Sequence, residues 1–139
     1  MLFIMASTVE ENKAVVRRHI EAFNDQDRAG VRSCFADDAK PHGLELDEFL
    51  EAEFGYFQPF PDHYYEIRDV FGEGNRVAIH WTFIGTHEGE WLGQDPTHER
   101  VEIDGINLAR VENGEIVDYT GSWDVHELLD AIGVIELPN

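Results

Sequence analysis

A chain of 139 residues with 42% hydrophobic and 12% aromatic side chains can bury one real core but is too short for two ordinary domains. Its 29 acidic against 10 basic residues give a formal net charge of −19, which opposes nucleic acid and anionic membranes, because phosphate binding needs clustered Lys and Arg. No run approaches the roughly 20 apolar residues of a membrane helix, and Met1-Leu2-Phe3-Ile4-Met5 is too short and uncharged for a secretory signal.

A cytoplasmic protein with a single domain over residues 1–139 is expected, with residues 1–7 a flexible N-terminal extension and Met5 an alternative start. The lone Cys34 can make neither an internal disulfide nor a multi-cysteine zinc site. Acidic residues run from Glu10 to Glu136 between apolar positions, so the charge coats a folded surface instead of forming a tail. Salt would screen the resulting repulsion, since the Debye length falls to about 3 Å at 1 M. A halophilic setting is therefore expected, with a melting temperature that rises through molar salt.

In chain order, Ser7 with Glu10 and Thr8 with Glu11 form overlapping capping boxes that start a helix. Val16, Ile20 and Phe23 mark its apolar face, and the helix ends at Asn24-Asp25-Gln26-Asp27. A short second helix runs through Val31 and Phe35, followed by a loop over residues 36–43. Leu46, Phe49, Leu50 and Phe54 predict a third helix over residues 46–57, closed by Pro59 and Pro61. The period then changes from helical to two. Strands are predicted at residues 64–71, 76–86, 100–111 and 115–123, with turns at Gly72-Glu73-Gly74-Asn75 and Glu112-Asn113-Gly114. Residues 86–97 read as a shorter, irregular strand with a loop. Leu128, Leu129 and Ile132 suggest a last short helix stopped by Gly133. Helices first and an antiparallel sheet afterwards make an α+β domain.

Several motifs lie in this order: Ala22-Phe23-Asn24, Ala36-Asp37-Asp38, Phe60-Pro61-Asp62, Gly74-Asn75-Arg76-Val77-Ala78 and Trp81-Thr82. Gly85-Thr86-His87-Glu88-Gly89, Gly93 with Pro96-Thr97, Asn113-Gly114-Glu115-Ile116-Val117, and Trp123-Asp124 before Leu128-Leu129 follow. Together they resemble the SnoaL-like polyketide cyclase and ester cyclase family over about residues 12–133. The resemblance implies the cone of the nuclear transport factor 2 (NTF2-like) superfamily, helices packed in a strongly curved, mainly antiparallel sheet around a pocket. It also implies a homodimer through the sheet. It further implies a cofactor-independent aldol cyclisation by a buried aspartate with a histidine nearby. The same resemblance places that aspartate at Gly121 and that histidine at Asn107, and neither residue can serve as a general base.

If Asn107 and Gly121 face the cavity, alternation puts Val101, Ile103, Gly105, Val117, Tyr119 and Trp123 on the same wall, with Glu102, Asp104 and Asp118 opposite. Gly105 and Gly121 either make room for a ring or permit the bend of the sheet. His80, mid-strand beside Trp81, is the titratable candidate for a pocket base, or a satisfied histidine of the sheet; alternation does not say which face is inward. His87 reads as structural or at the pocket rim, and Trp91 with Phe54-Gly55-Tyr56-Phe57 as core or as a cap on the mouth. His42, His63, His98 and His126 lack ligand spacing, so no metal or other cofactor is expected.

The function this reading supports is binding of a small apolar cyclic or polyketide-like compound. It leaves open catalysis by proton transfer, as a cyclase, lyase or isomerase. His80 would then be the base, and Asn107, Tyr119, Trp123, Gly121, Gly105, Trp81 and His87 would hold the substrate. The alternative is a non-catalytic carrier on the same fold, which the residues at 107 and 121 favour.

Overall fold

The computed structural model describes residues 7–133. The expected N-terminal extension and the alternative start at Met5 therefore lie, Ser7 apart, outside the described residues. Helix α1, Val9–Asn24, begins on one of the two predicted capping boxes: the Thr8 hydroxyl accepts from Glu11 N–H and the Glu11 carboxylate accepts from Thr8 N–H. Ser7 instead donates to Asn12 at 2.6 Å, and Asn12 donates on to the Gly74 carbonyl at 3.1 Å, tying the start of the helix to a distant turn. The buried face of α1 carries His19 among Val15, Val16, Ile20 and Phe23.

Helix α2, Arg28–Ser33, is capped by Asp27 and ends before Phe35, which bridges to Ile116. Helix α3, Leu46–Phe54, is shorter than the pattern predicts. It tightens into a 3-10 turn over Gly55–Phe57 ahead of Pro59, a common way to finish a helix whose continuation proline would block.

Strands β1 (Tyr64–Glu73), β2 (Arg76–Thr86), β3 (Arg100–Glu112) and β4 (Glu115–Trp123) form an antiparallel sheet in sequential order. Asn113 and Gly114 both take positive φ, 54° and 77°, as the two central residues of a type I′ hairpin turn must. Helix α4, Val125–Ala131, is capped by Asp124 and packs against β3. Among the described residues, four α-helices and a curved four-stranded sheet make the α+β architecture expected from the sequence.

The segment over residues 86–97 departs from expectation, for past Thr86, the end of β2, it contains no strand. Its backbone donors have other acceptors: Glu88 N–H and Gly89 N–H both reach the Pro59 carbonyl, at 2.9 and 3.1 Å. Trp91 and Gln94 then close a tight turn on each other's backbone.

On β2 the inward face is the one with Val77, Ile79, Trp81 and Phe83, which join the helices in one core. Phe35, Phe60 and Ile79 in that core are essentially inaccessible, and each such side chain contributes roughly 1.5–3 kcal/mol of transfer free energy.

Candidate functional site

Between the concave face of the sheet and helices α1 and α3 lies a cavity of about 250 Å³. The helices contribute His19, Phe23, Phe49 and Glu53, and the strands contribute Tyr65, Trp81, Phe83, Asn107 and Tyr119. Leu44, Gly121 and Trp123 line the same space but are exposed, and they mark its mouth.

One wall carries a chain of side-chain hydrogen bonds whose direction is fixed at both ends. Trp81 Nε1–H, which can only donate, reaches Asn107 Oδ1 at 3.1 Å. Asn107 Nδ2 donates to the Tyr119 hydroxyl oxygen. That hydroxyl lies 2.9 Å from His19 Nε2, and His19 Nδ1 lies 2.5 Å from the Val16 carbonyl. A carbonyl can only accept, so Nδ1 carries the imidazole proton and Nε2 accepts the hydrogen bond of the Tyr119 hydroxyl. Burial holds His19 neutral, with its pKa lowered to about 4 despite the Val16 carbonyl. Burial likewise raises the pKa of Tyr119, which stays protonated.

Glu53 on α3 is the carboxylate of the cavity. Burial pushes its pKa up to about 7, against the opposing effect of the Tyr65 hydroxyl, which donates to it at 3.4 Å. Tyr65 is itself placed by Asn24 at the end of α1: the Asn24 amide donates to the Tyr65 carbonyl at 2.9 Å and accepts from its N–H at 2.8 Å. A carboxyl poised near neutrality in an aromatic-walled cavity can both take and return a proton.

Of the residues singled out from the sequence, Trp81, Asn107, Tyr119, Gly121 and Trp123 do line this cavity. Gly105 and Gly121 provide neither free space nor simply a bend. A Cβ at 105 would meet the Trp81 ring at 2.2 Å, and one at 121 would meet Asn107 Oδ1 at 2.0 Å. The two glycines are where the Trp81 and Asn107 side chains lie across the neighbouring strand.

His80 does not reach the cavity. With Trp81 turned inward, alternation turns His80 outward, where its ring is exposed 3.8 Å from Asp104. His87 is also away from the cavity: it is fully buried, and its Nδ1 accepts from Thr97 N–H at 3.2 Å, anchoring the 86–97 loop beneath Phe60. Trp91 packs on Tyr56 and Phe60, and of the 54–57 cluster Tyr56 lines the cavity.

Sequence reasoning missed His19, Glu53 and Tyr65. A signal existed for the first two. His19 stands three residues after Val16 and four before Phe23, and Glu53 stands four after Phe49 and three after Leu50. Each is a titratable residue on an otherwise apolar helical face. Among the described residues no group of three His, Cys, Asp or Glu side chains converges as metal ligands do. None of the described helices is long and apolar enough to cross a membrane.

Comparison with known structures finds this architecture repeatedly. AclR from Streptomyces galilaeus, provisionally assigned as a hydroxylase, is 25% identical with a TM-score of 0.84, over 95% of this chain and 87% of its own. IdmH from Streptomyces antibioticus, provisionally assigned as a polyketide cyclase, is 27% identical with a TM-score of 0.82, over 88% and 99%. TsrD from Streptomyces laurentii shares the fold at 16% identity, with a TM-score of 0.83 over 93% and 99%. A comparison with functionally curated proteins returns no match. The family profile described as SnoaL-like polyketide cyclase matches residues 13–132, nearly the whole of the described fold, and the chain thus belongs to that family.

Proposed function

We propose that this protein binds a compact, apolar ring compound bearing a carbonyl and catalyses a cofactor-independent cyclisation or isomerisation on it, with Glu53 as the acid and base. The observation that carries this reading is the Glu53 carboxyl in the cavity wall, with a pKa pushed up to about 7. Its carboxylate would take an acidic C–H proton, leaving the electron pair on the carbonyl oxygen as an enolate. The enolate carbon would attack a second carbonyl of the same molecule, and Glu53 would return the proton to the resulting alkoxide.

By resemblance, the family's catalytic aspartate belongs at position 121. In this chain that volume is taken by Asn107, which Trp81 and Tyr119 hold in place. The base in this proposal therefore comes from α3 and not from the sheet. The cavity volume, slightly below the roughly 300–1,000 Å³ of small-molecule sites, supports a fused-ring ligand and not a long chain.

The experiment is deuterium exchange at the activated C–H of 2-tetralone, followed by NMR in D2O. Exchange should rise through about pH 7 in the wild type and be lost in Glu53→Gln. Binding of the ketone without exchange would instead favour the carrier reading, which Gly121 and Asn107 also suggest.

A homodimer through the outer face of the sheet and a saline, cytoplasmic setting form part of the same proposal. Phe71 and Leu108 are 54% and 58% exposed and flank Ala78 in register, with Ile106 beside His80. Such an exposed apolar row is a common mark of an interface. Light scattering should give a dimer for the wild type and a monomer for Leu108→Glu; a wild-type monomer would remove this part.

A further inference from the structure

The wall opposite the helices has hydrogen-bonding capacity left over, and its polarity follows from the bonds already made. Tyr119 donates its hydroxyl hydrogen bond to His19 Nε2 because His19 Nδ1–H is committed to the Val16 carbonyl. It also accepts one bond from Asn107. Toward the cavity the phenol oxygen has acceptor capacity but no proton to give. Beside it, Asn107 has used one N–H on Tyr119, and its Oδ1 faces Trp81. Its second N–H is a donor, and both residues line the cavity. The wall therefore presents an acceptor and a donor side by side.

We infer that Tyr119 and Asn107 select ligands carrying a free hydroxyl on an apolar ring, a phenol or an enol, over the same ring carrying an ether or ketone oxygen at that position. A hydroxyl donates to Tyr119 and accepts from Asn107, so both groups are satisfied. An oxygen without a proton satisfies only Asn107 and sets its lone pairs against those of Tyr119. In a cavity walled by aromatic rings that mismatch leaves a polar atom unpaired, the principal source of discrimination between such analogues. His19 is a positioning residue here: by accepting the hydrogen bond of the Tyr119 hydroxyl it sets the polarity of the site. This inference rests on the cavity being a ligand site, and adds which end of the ligand lies on the sheet while the reacting end faces Glu53.

The test is fluorescence titration of the full chain at neutral pH with 2-naphthol and with 2-methoxynaphthalene, which has the same ring and no donor. The naphthol should bind about tenfold more tightly, the effect of one satisfied hydrogen bond. Tyr119→Phe should bring the ratio near one by weakening the naphthol. His19→Phe should lower the ratio by tightening the ether, because the Tyr119 O–H is released from His19 and can donate to the cavity. A purely structural role for His19 would weaken both probes together, and that result would overturn the inference.

Equal binding of the two probes by the wild type would also overturn it, and needs no variant to fold. So would a preference that survives in a folded Tyr119→Phe protein, as judged by circular dichroism. If neither probe binds, this inference and the ligand site both fall. If the ether binds as well as the naphthol, the ligand site stands and the hydroxyl selection is lost. If the hydroxyl preference holds while 2-tetralone shows no exchange, only the proton-transfer reading is lost.

Discussion

At one end of the sheet Asn24, Asp62 and His87 each bond to backbone groups: Asn24 to both backbone atoms of Tyr65, Asp62 to Thr86 N–H and His87 to Thr97 N–H. In the cavity Trp81, Asn107, Tyr119 and His19 bond mainly to one another through their side chains. The first set fastens loops and strand ends, and none of it lines the cavity. The second holds a wall in place and keeps capacity in reserve, an acceptor on Tyr119, an N–H on Asn107 and a titratable proton on nearby Glu53. Polar groups that fasten backbone away from the cavity make scaffold; polar groups bonded to each other beside a cavity make a site.

Glu53→Gln should give the largest effect, on the cavity side alone. Exchange of 2-tetralone should fall by about 10²–10⁴-fold, the usual contribution of a general base. Folding stability at pH 8 should rise, by roughly 1–2 kcal/mol once the carboxyl's solvent access is discounted, because a raised pKa means the ionised carboxylate is disfavoured by folding. A loss of stability instead would move Glu53 to the scaffold side of the comparison.

Acid should then weaken the fold. His19 and His63 are both buried with pKa values lowered to about 4 from 6.5. Below pH 6.5 the unfolded chain takes up protons that the folded chain refuses, so stability falls between about pH 6.5 and 4. Glu53 acts oppositely, gaining a proton in the folded state between about 7 and 4.5. With two imidazoles against one half-buried carboxyl, the net loss is on the order of 3 kcal/mol. Denaturant midpoints across that range measure it; an unchanged midpoint would contradict it. His63 takes part without belonging to the cavity wall. It is stacked between Phe57 and Phe83, at centroid distances of 4.1 and 4.6 Å, with neither ring nitrogen hydrogen-bonded.

Asn24→Ala comes next, on the scaffold side. It unpairs the N–H and C=O of Tyr65 and should cost about 2 kcal/mol by guanidinium unfolding. His80→Ala should be smallest, within about 0.5 kcal/mol and without effect on exchange, since its ring stands exposed beside Asp104. A loss of exchange in His80→Ala would restore the base read from the sequence.

Most of the fold was legible because local rules decided it. Thr8 with Glu11, Asn113-Gly114 and the alternation of β2 each fix backbone within a few residues. The 86–97 loop was not, because its N–H groups go to the Pro59 carbonyl, a partner that no local pattern announces. The cavity was half legible. The resemblance pointed to Asn107 and Gly121, and Tyr119 and Trp123 followed from strand alternation once those two were taken as inward. His80 was drawn in because both faces of β2 carry apolar residues, so the period of two could not say whether Trp81 or His80 points inward. His19 and Glu53 were passed over because a polar residue inside an apolar helical stripe reads as an interruption until the opposing wall is known.

Proton transfer in the cavity depends most on the state of Glu53. Carbon-detected NMR titration of the side-chain carboxyls, with Glu53→Gln to assign the signal, measures it without any ligand. The expected result is a midpoint near 7, well separated from the bulk of the acidic residues. A midpoint in the ordinary glutamate range, close to 4.5, would mean that the cavity holds no base poised for chemistry at neutral pH, and the proposed proton transfer would have to be given up.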